Sequence, residues 1–243
     1  MISKKIRDTL FRVRYQRGGY PISIGSRPFR VDPSLRRWNF EAEDSTLEVI
    51  EEFLQEGDTC IDVGANFGLH TLFSASCVGK SGKVFAFEPV PANLELLNYH
   101  MKVNHFDART KVIANAVSND PAQEIAFSIP EDGLTVTASL NAENGGVRVA
   151  NCRLDDFDFG DSRIRFMKID VEGAELEVLR GATLLIAEQK PTVLLEVHPI
   201  DLRNFGASEE DVIHIVESIG YSGTRLPGKF VGDTYHICFT PNT

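Results

Sequence analysis

The chain has 243 residues, of which 42% are hydrophobic and 25% are charged, and its formal net charge is −10. This composition suits one globular α/β domain with some decoration, and no apolar run is long enough to span a membrane. The charge is unevenly divided, because residues 1–37 carry +8 and the remainder carries −18. An acidic body repels a polyanion, so nucleic acid is excluded as the expected partner.

The basic segment 1–37 differs in pattern from the rest of the chain. Apolar residues recur at helical spacing within 3–17, whereas 18–40 is rich in Gly, Pro and Arg and is expected to be irregular. We therefore divide the chain into a basic arm over 1–40 and a single domain over 41–243. The charge of the arm permits a weak contact with an anionic membrane surface. The alternative is that the arm covers the acidic body or lies free in solvent.

The cysteines and the N-terminus both indicate a cytoplasmic protein. Cys60, Cys77, Cys152 and Cys238 lack CxxC spacing, which predicts reduced, buried thiols. No apolar stretch follows the basic N-terminus, so no secretory signal is expected. The sequence does not determine the oligomeric state, and a homodimer is one of the options.

Strands and helices alternate from residue 44 onward, which predicts a doubly wound, Rossmann-like α/β fold with a mostly parallel seven-stranded sheet. Six of these strands can be placed in the sequence: Thr59–Val63, Lys83–Phe87, Lys111–Ala116, Arg165–Ile169, Thr192–Val197 and, as an antiparallel, hairpin-paired edge strand, Thr234–Phe239. The predicted helices are 44–55, Leu69–Val78, Pro91–Asn104, Ala174–Glu188 and Glu209–Ile219.

A small β insertion interrupts this alternation after the third strand, over about 121–160. Its segments of strand composition are Glu124–Ile129, Thr135–Leu140 and Val147–Cys152, with a turn at Gly145–Gly146.

A glycine-rich turn follows the first strand of the domain. Asp62 ends the strand, and Gly64, Ala65, Asn66 and Gly68 form a turn that opens the next helix. Glycines let the backbone approach a ligand closely, and the start of a helix offers free N–H groups. The pattern therefore predicts a nucleotide-binding loop.

The residues around this loop narrow the kind of nucleotide. Glu88 ends the next strand about 20 residues later, where a carboxylate suits hydrogen bonds to ribose hydroxyls. A dinucleotide fingerprint fails because Asn66 and Leu69 stand where glycines are required, and no Gly-Lys-Ser/Thr follows for a phosphate-binding loop. Asn115 and Ala116, which end the third predicted strand, suit an adenine pocket; a plain turn is the alternative.

These motifs resemble those of the FkbM family of class I S-adenosylmethionine-dependent methyltransferases, with Asn66 in place of the usual middle glycine. The resemblance runs from about residue 40 to about residue 200. Its motifs are Asp62–Thr71, Phe87–Asn93, Asn115–Ser118, Leu154–Phe157, Met167–Glu175 and Arg180–Ala182. It implies O-methylation of a hydroxyl on a small molecule, a natural product, or a sugar of a glycan or glycolipid. The residues expected to bind S-adenosylmethionine are Asp62, Gly64, Ala65, Asn66, Gly68, Glu88, Asn115, Ala116 and Asp170.

A second group of polar residues lies where the fourth and fifth strands end. Asp170 and Glu172 follow one strand, and Glu196 and His198 lie at the end of the other. If these strands are neighbours, the side chains meet beside the cofactor. His198 and Asp170 are the candidates for the base that takes the proton of the hydroxyl, and Glu196 is a third catalytic candidate.

The same group allows two other interpretations. Asp170, Glu172, Glu196 and His198 have the oxygen-rich chemistry that Mg²⁺ or Mn²⁺ prefers, although a metal is not the favoured prediction. Alternatively, Lys168 pairs with Glu196 or Glu172 in a buried ion network.

Two rival functions are a cofactor-binding domain without catalysis and an amino-group methyltransferase. The second is disfavoured because the fourth strand ends in Ile169-Asp-Val-Glu172 and not in the Asp/Asn-Pro-Pro-Tyr of those enzymes.

Some residues outside the strand ends also carry expectations. Trp38 and Glu41 precede the domain core and are placed to close over the methionine end of the cofactor. Three histidines on predicted helices or their ends are expected at the surface: His100, His105 and His214.

Overall fold

The computed structural model describes residues 11, 13–15, 17–38, 44–127, 147–227 and 233–242. Its strands are β1 (Tyr20–Ile24), β2 (Arg27–Val31), β3 (Thr59–Val63), β4 (Lys83–Phe87), β5 (Thr110–Ile113), β6 (Asn115–Val117), β7 (Glu124–Phe127), β8 (Val147–Cys152), β9 (Ile164–Ile169), β10 (Thr192–Val197), β11 (Tyr221–Arg225) and β12 (Tyr235–Pro241). Its α-helices are α1 (Asp44–Phe53), α2 (Leu69–Cys77), α3 (Pro91–Val103), α4 (Glu175–Arg180), α5 (Thr183–Gln189), α6 (Pro199–Asn204) and α7 (Glu209–Ser218). Short 3₁₀ helices span Pro33–Arg37 and Leu154–Asp156.

The central sheet has seven strands in the order β11-β12-β10-β9-β3-β4-β5. Strands β10, β9, β3, β4 and β5 run parallel to one another, and β12 is antiparallel to both of its neighbours. One face packs against α1, α2 and α3, and the other packs against α4, α5 and α7. The predicted doubly wound, mostly parallel sheet is therefore confirmed.

The parallel strands form where the sequence has short continuous apolar runs, because helices cover both faces of the sheet. All five residues of β3 are buried, and in β10 only Glu196 is more than marginally exposed. The observed bounds of β3, β4 and β10 equal the predicted ones for this reason.

The third predicted strand is two strands in the structure. β5 ends at Ile113, and β6 begins at Asn115 and leaves the central sheet. β6 then pairs with β8 in a separate three-stranded sheet of order β6-β8-β7, which is the predicted β insertion. The predicted strand Thr135–Leu140 and the turn at Gly145–Gly146 lie outside the described residues.

Two further elements differ from the prediction. The single helix predicted over 174–188 is interrupted at Gly181, where the backbone lies so close to the insertion that a Cβ would stand 2.4 Å from the Ser118 carbonyl oxygen. The final strand is antiparallel as predicted, but its placement at the sheet edge is wrong. β12 lies between β10 and β11, and β11 is the edge strand.

The arm also differs from the irregular chain predicted for 18–40. β1 and β2 form an antiparallel hairpin around Gly25, whose positive φ of 54° suits a tight turn. Ile24 and Phe29 are buried in the same cluster as α1, α2 and α3. Residues 13–15 are helical, as predicted, and the rest of the predicted 3–17 helix lies largely outside the described residues.

The described part of the chain contains no helix that is long and apolar enough to cross a membrane. The four cysteines are free thiols, and Cys152 alone among them is only partly buried.

Candidate active site

The carboxyl ends of four adjacent parallel strands form one edge of the sheet. β10, β9, β3 and β4 are neighbours in that order. They lead into His198, Asp170, Gly64 and Glu88 respectively. The structure thus brings the two polar groups predicted from the sequence to a common edge, where ligands of doubly wound sheets bind.

The glycine-rich turn crosses the ends of β4 and β9. The amides of Gly64 and Ala65 both donate to the Phe87 carbonyl oxygen at 3.0 Å. Gly64 has a φ of 77°, and a Cβ on it would stand 1.8 Å from the Asp170 carbonyl oxygen. Glycine is therefore required at this position on two independent grounds. Asn66 also adopts a left-handed φ of 52°.

Glu88 is buried beneath this turn. Its Oε2 accepts the Asn66 amide at 2.8 Å, and its Oε1 accepts the Val90 amide at 2.9 Å. Burial is the main cause that raises the pKa of Glu88 to about 7, against the opposing effect of these hydrogen bonds. The predicted ribose-binding carboxylate is thus held in one orientation beside the turn.

Asp62 is buried at the end of β3. Its Oδ2 accepts the Thr71 hydroxyl at 2.5 Å. Its Oδ1 is also buried and has no hydrogen-bond partner among the described residues. Because a buried carboxylate oxygen without a donor costs free energy, this atom indicates where a donor of a ligand belongs.

Asn115 and Ala116 lie in β6 and so do not end a strand of the central sheet. They remain close to the site, because the Ile113 carbonyl, two residues earlier, accepts the Glu88 amide at 3.1 Å. Ala116 is buried against Val90.

His198 is the centre of the second polar group. Its Nδ1 is 2.6 Å from Glu175 Oε1. Its Nε2 faces three carboxylates at longer range: Glu172 Oε2 and Glu196 Oε1 at 3.7 Å and Asp170 Oδ1 at 3.9 Å. The candidates predicted from strands four and five are therefore grouped around one imidazole.

The carboxylates around His198 determine its charge. Burial alone would lower the pKa of His198, but the hydrogen bond to Glu175 and the charges of Asp170, Glu175 and Glu172 raise it to about 10. Glu175 is completely buried, and its Oε2 has no hydrogen-bond partner among the described residues. Burial also raises the pKa of Glu172 to about 7. The isolated protein thus holds His198 as an imidazolium at neutral pH.

Lys168 is buried in β9 and pairs with Asp170, its Nζ lying 2.9 Å from Oδ2. The alternative in which Lys168 pairs directly with Glu196 or Glu172 is therefore wrong, because its direct partner is Asp170. Burial would raise the pKa of Asp170, but the charges of Lys168 and His198 bring it well below its usual value. Asp170 is consequently a weak base.

Glu196 has a second histidine neighbour that the sequence did not indicate. His236 lies opposite Glu196 in the β10–β12 register, and its Nε2 is 3.2 Å from Glu196 Oε2. Its importance depends on β12 lying beside β10, which the sequence pattern did not predict.

Asp170, Glu196 and His198 have the geometry of a candidate cation group, since each offers one ligand atom and these atoms lie within 4.8 Å of one another. Glu172, the fourth residue of the predicted metal set, is not part of this group, although its Oε2 lies 3.7 Å from His198 Nε2.

Sequence reasoning missed two other residues of this region. Glu175, which holds His198, lies inside the Met167–Glu175 motif, and that motif was the available signal. His100, expected at the surface, is completely buried. Its Nδ1 is 2.6 Å from the Phe67 carbonyl oxygen in the glycine-rich turn. The surface prediction is correct for the exposed His105 and His214 and wrong for His100.

The fold and the arrangement of this edge define a class I S-adenosylmethionine-dependent methyltransferase. The methyltransferase FkbM domain matches residues 62–222, and the chain belongs to that family.

Relatives and solved structures agree with this assignment. The chain is 27% identical over 171 residues to the hexuronic acid methyltransferase AglP of Haloferax volcanii, covering 69% of this chain and 67% of that protein. It resembles the FkbM methyltransferase of Methylobacillus flagellatus with a TM-score of 0.50 and 19% identity, over 79% of this chain and 50% of that one. It also shares its fold with a Streptococcus mutans protein solved in complex with SAH, with a TM-score of 0.52 and 10% identity, over 82% and 97% of the two chains.

Proposed function

We propose that this protein is an O-methyltransferase that transfers the methyl group of S-adenosylmethionine to a hydroxyl of a sugar or of a comparable small molecule. The observation that carries the proposal is the His198–Glu175 pair. A buried imidazole is oriented by a buried carboxylate and presents its other nitrogen at the edge where the strands end. This arrangement suits removal of a proton from a neutral acceptor, which an O-methyltransferase requires.

Asp62, Gly64 and Glu88, which lie at the ends of β3 and β4, fit the cofactor. Asp62 Oδ1 is an unpartnered buried acceptor that suits the amino group of the methionine moiety. Glu88 has both oxygens fixed by backbone amides and retains lone pairs for the ribose hydroxyls. Gly64 keeps the space beside Asp170 free of any side chain. When bound, S-adenosylmethionine supplies an electrophilic methyl group.

His198 is the better candidate for the base. In its neutral form, His198 would accept the proton of the acceptor hydroxyl at Nε2 during transfer of the methyl group that the bound cofactor would supply. Glu175 stabilises the resulting imidazolium through Nδ1. Asp170 is less suited because Lys168 already binds its carboxylate. Asp170 and Glu196 then serve to place and orient the acceptor.

A sugar is the molecule proposed to carry the acceptor hydroxyl for two reasons. The relative from Haloferax volcanii is described as a hexuronic acid methyltransferase. The acidic side chains grouped at the edge, Asp170, Glu172 and Glu196, accept hydrogen bonds and so suit a ligand rich in hydroxyl groups.

Calorimetry with S-adenosylhomocysteine tests the cofactor part of the proposal. We expect a dissociation constant in the micromolar range for the wild type. Glu88→Ala should weaken it by about 10- to 100-fold, the worth of hydrogen bonds to a charged group. Glu95→Ala, which removes an exposed carboxylate from α3, is the matched control and should bind like the wild type. Absence of binding by the wild type would refute the proposal.

Transfer of a labelled methyl group to sugars and extract fractions tests the reaction itself. The product's mass spectrum should place the methyl group on oxygen. Labelling on nitrogen would favour an amino-group methyltransferase, and cofactor binding without transfer to any fraction would favour a domain without catalysis.

A further inference from the structure

The N-terminal arm touches the glycine-rich turn through one buried histidine. His100 of α3 accepts the Asp32 amide at Nε2, 2.9 Å away, and its Nδ1 is 2.6 Å from the Phe67 carbonyl oxygen. An amide can only donate, so Nε2 must be the unprotonated nitrogen. Burial lowers the pKa of His100, so the neutral ring carries its single proton on Nδ1 and donates it to Phe67. His100 thus bridges the arm and the turn.

The backbone of Phe67 is held by hydrogen bonds to side chains and not by those of a helix or a strand. Its amide donates to Asn66 Oδ1 at 2.8 Å, and its carbonyl accepts from His100. Asn66 and Gly68 on either side both have a positive φ. Because two left-handed positions flank Phe67, the turn is not fixed by a strand or a helix at this point, and its shape depends on these contacts.

The arm makes a second contact with the same residue. Asp32 accepts the Ser34 amide and starts the 3₁₀ helix Pro33–Arg37, which ends at Trp38. The Trp38 ring packs edge to face on Phe67, with centroids 5.0 Å apart, and remains 37% exposed. Both ends of this short helix therefore reach Phe67, one through His100 and the other through Trp38.

The arm is in turn firmly attached to the domain. Arg27 pairs with Glu51 of α1 at 2.7 Å. The Arg30 amide donates to Asn104 Oδ1 at 2.8 Å, and Asn104 Nδ2 donates to the Arg30 carbonyl at 2.7 Å. Phe29 packs against rings of α2 and the loop after α3. These contacts fix the arm to the domain, so the arm can stabilise the conformation of the glycine-rich turn.

We infer that residues 32–38, which lie outside the matched family domain 62–222, form part of the cofactor site, with His100 as the positioning residue that ties them to the turn. The inference rests on the proposed function, because it requires the cofactor to bind at the turn. It assigns to the basic arm a role in cofactor affinity.

The sole tryptophan of the sequence makes this inference directly measurable. Excited at 295 nm, where the adenine ring does not absorb, the full-length protein reports on Trp38 alone. Saturating S-adenosylhomocysteine should shift or quench this emission, because the ring contacts Phe67 of the cofactor turn. Binding seen by calorimetry with unchanged emission would overturn the inference and leave the proposed function intact.

Variants at the bridge provide the second arm of the test. His100→Ala should weaken S-adenosylhomocysteine binding by about tenfold, the effect of about one hydrogen bond. His100→Asn can still donate to Phe67 but has no Nε2 to accept the Asp32 amide, so it should recover only part of that affinity. Full recovery would show that the link to the arm is not needed for cofactor binding. His214→Ala, which removes an exposed histidine from α7, is the control and should bind like the wild type.

Trp38→Ala decides the question if His100→Ala does not fold, because the Trp38 ring is partly exposed and can be removed with less damage. It too should weaken binding several-fold. Wild-type affinity in both the Trp38→Ala protein and any folded His100→Ala protein would contradict the inference. A wild type that does not bind at all would instead refute the proposed function.

Discussion

His198 combines the features of a strong base. Four carboxylates surround it, and the hydrogen bond to Glu175 together with the charges of Asp170, Glu175 and Glu172 outweighs burial and raises its pKa to about 10. A group with a raised pKa is protonated below that value and becomes available as a base only above it. A higher pKa thus makes His198 a stronger base, but it also reduces the fraction of His198 that is deprotonated, and therefore active, at neutral pH.

The protonation state of His198 determines the pH dependence that we expect for the reaction. The value of kcat/KM should rise by up to about tenfold per pH unit between pH 7 and 9, since it reports the protonation state of the free enzyme. His198→Gln should lose about 10²–10⁴-fold in kcat and should show no such rise. Initial rates in a series of overlapping buffers provide the measurement. A flat profile for the wild type would rule out His198 as the base.

Glu175→Gln separates the partner from the base. Loss of the negative charge should lower the pKa of His198 and move the rising part of the pH profile to lower pH. Glu177→Gln, which removes a partly exposed carboxylate that pairs with Arg180 on the same helix, is the control and should leave the rise at the same pH. Full activity after EDTA treatment is also expected, because this route needs no metal at the Asp170–Glu196–His198 group.

At the scale of residues, the sequence predicted the groupings that the strand ends determine directly. Asp170, Glu196 and His198 meet because β9 and β10 are adjacent and parallel. His236 and His100 were not predicted, since one depends on the position of β12 and the other on the docking of the arm. Such partners are distant in sequence and leave no periodic pattern.

At the scale of elements, the approach of the β3 turn to the β9 turn is the tightest feature of the site. A Cβ at Gly64 would lie 1.8 Å from the Asp170 carbonyl oxygen and 2.9 Å from its carbonyl carbon. Neither turn can move away without disturbing the residues that bind the cofactor or the base.

Gly64→Ala should therefore be severely destabilising. A left-handed φ alone costs an alanine about 1–2 kcal/mol, and the clash adds to that cost. Gly160→Ala is the matched control, since Gly160 has a φ of 61° and nothing within 4 Å of its virtual Cβ. Urea unfolding of the two variants gives the comparison. Equal losses of free energy would show that the close approach is not significant.

The elements that were predicted correctly depend on local sequence pattern, and those that were missed depend on tertiary pairing. β3, β4 and β10 were predicted correctly because buried parallel strands are short continuous apolar runs. The break between β5 and β6 was missed because Lys111–Ala116 contains no glycine or proline to mark it. The strand divides there because its second half pairs with β8, a strand about 30 residues later in the chain.

At the scale of the whole molecule, two apolar clusters cover opposite faces of one sheet, and the arm belongs to one of them. The glycine-rich turn, His198 and the arm are thus attached to the same sheet. We expect the protein to unfold in a single cooperative transition.

Cofactor binding should raise the temperature of that transition. A ligand at a hundred times its dissociation constant adds about 2.7 kcal/mol, which for a domain of this size corresponds to about 5–10 °C. Differential scanning fluorimetry with S-adenosylhomocysteine checks this, with Glu88→Ala as the variant that should show a smaller shift. Two separate transitions, or no shift with saturating ligand, would contradict the prediction.

The position of β12 has a consequence for the order of assembly. β11 comes before β12 along the chain, yet β12 is its single partner among the described strands of the central sheet. During synthesis, β11 emerges with no strand available to receive it, and β10 keeps an open edge until β12 arrives. A nascent chain at that stage exposes an unpaired apolar strand, which is the kind of edge that promotes aggregation. Since β12 also brings His236 to Glu196, the same late step that protects the edge completes the polar group around His198.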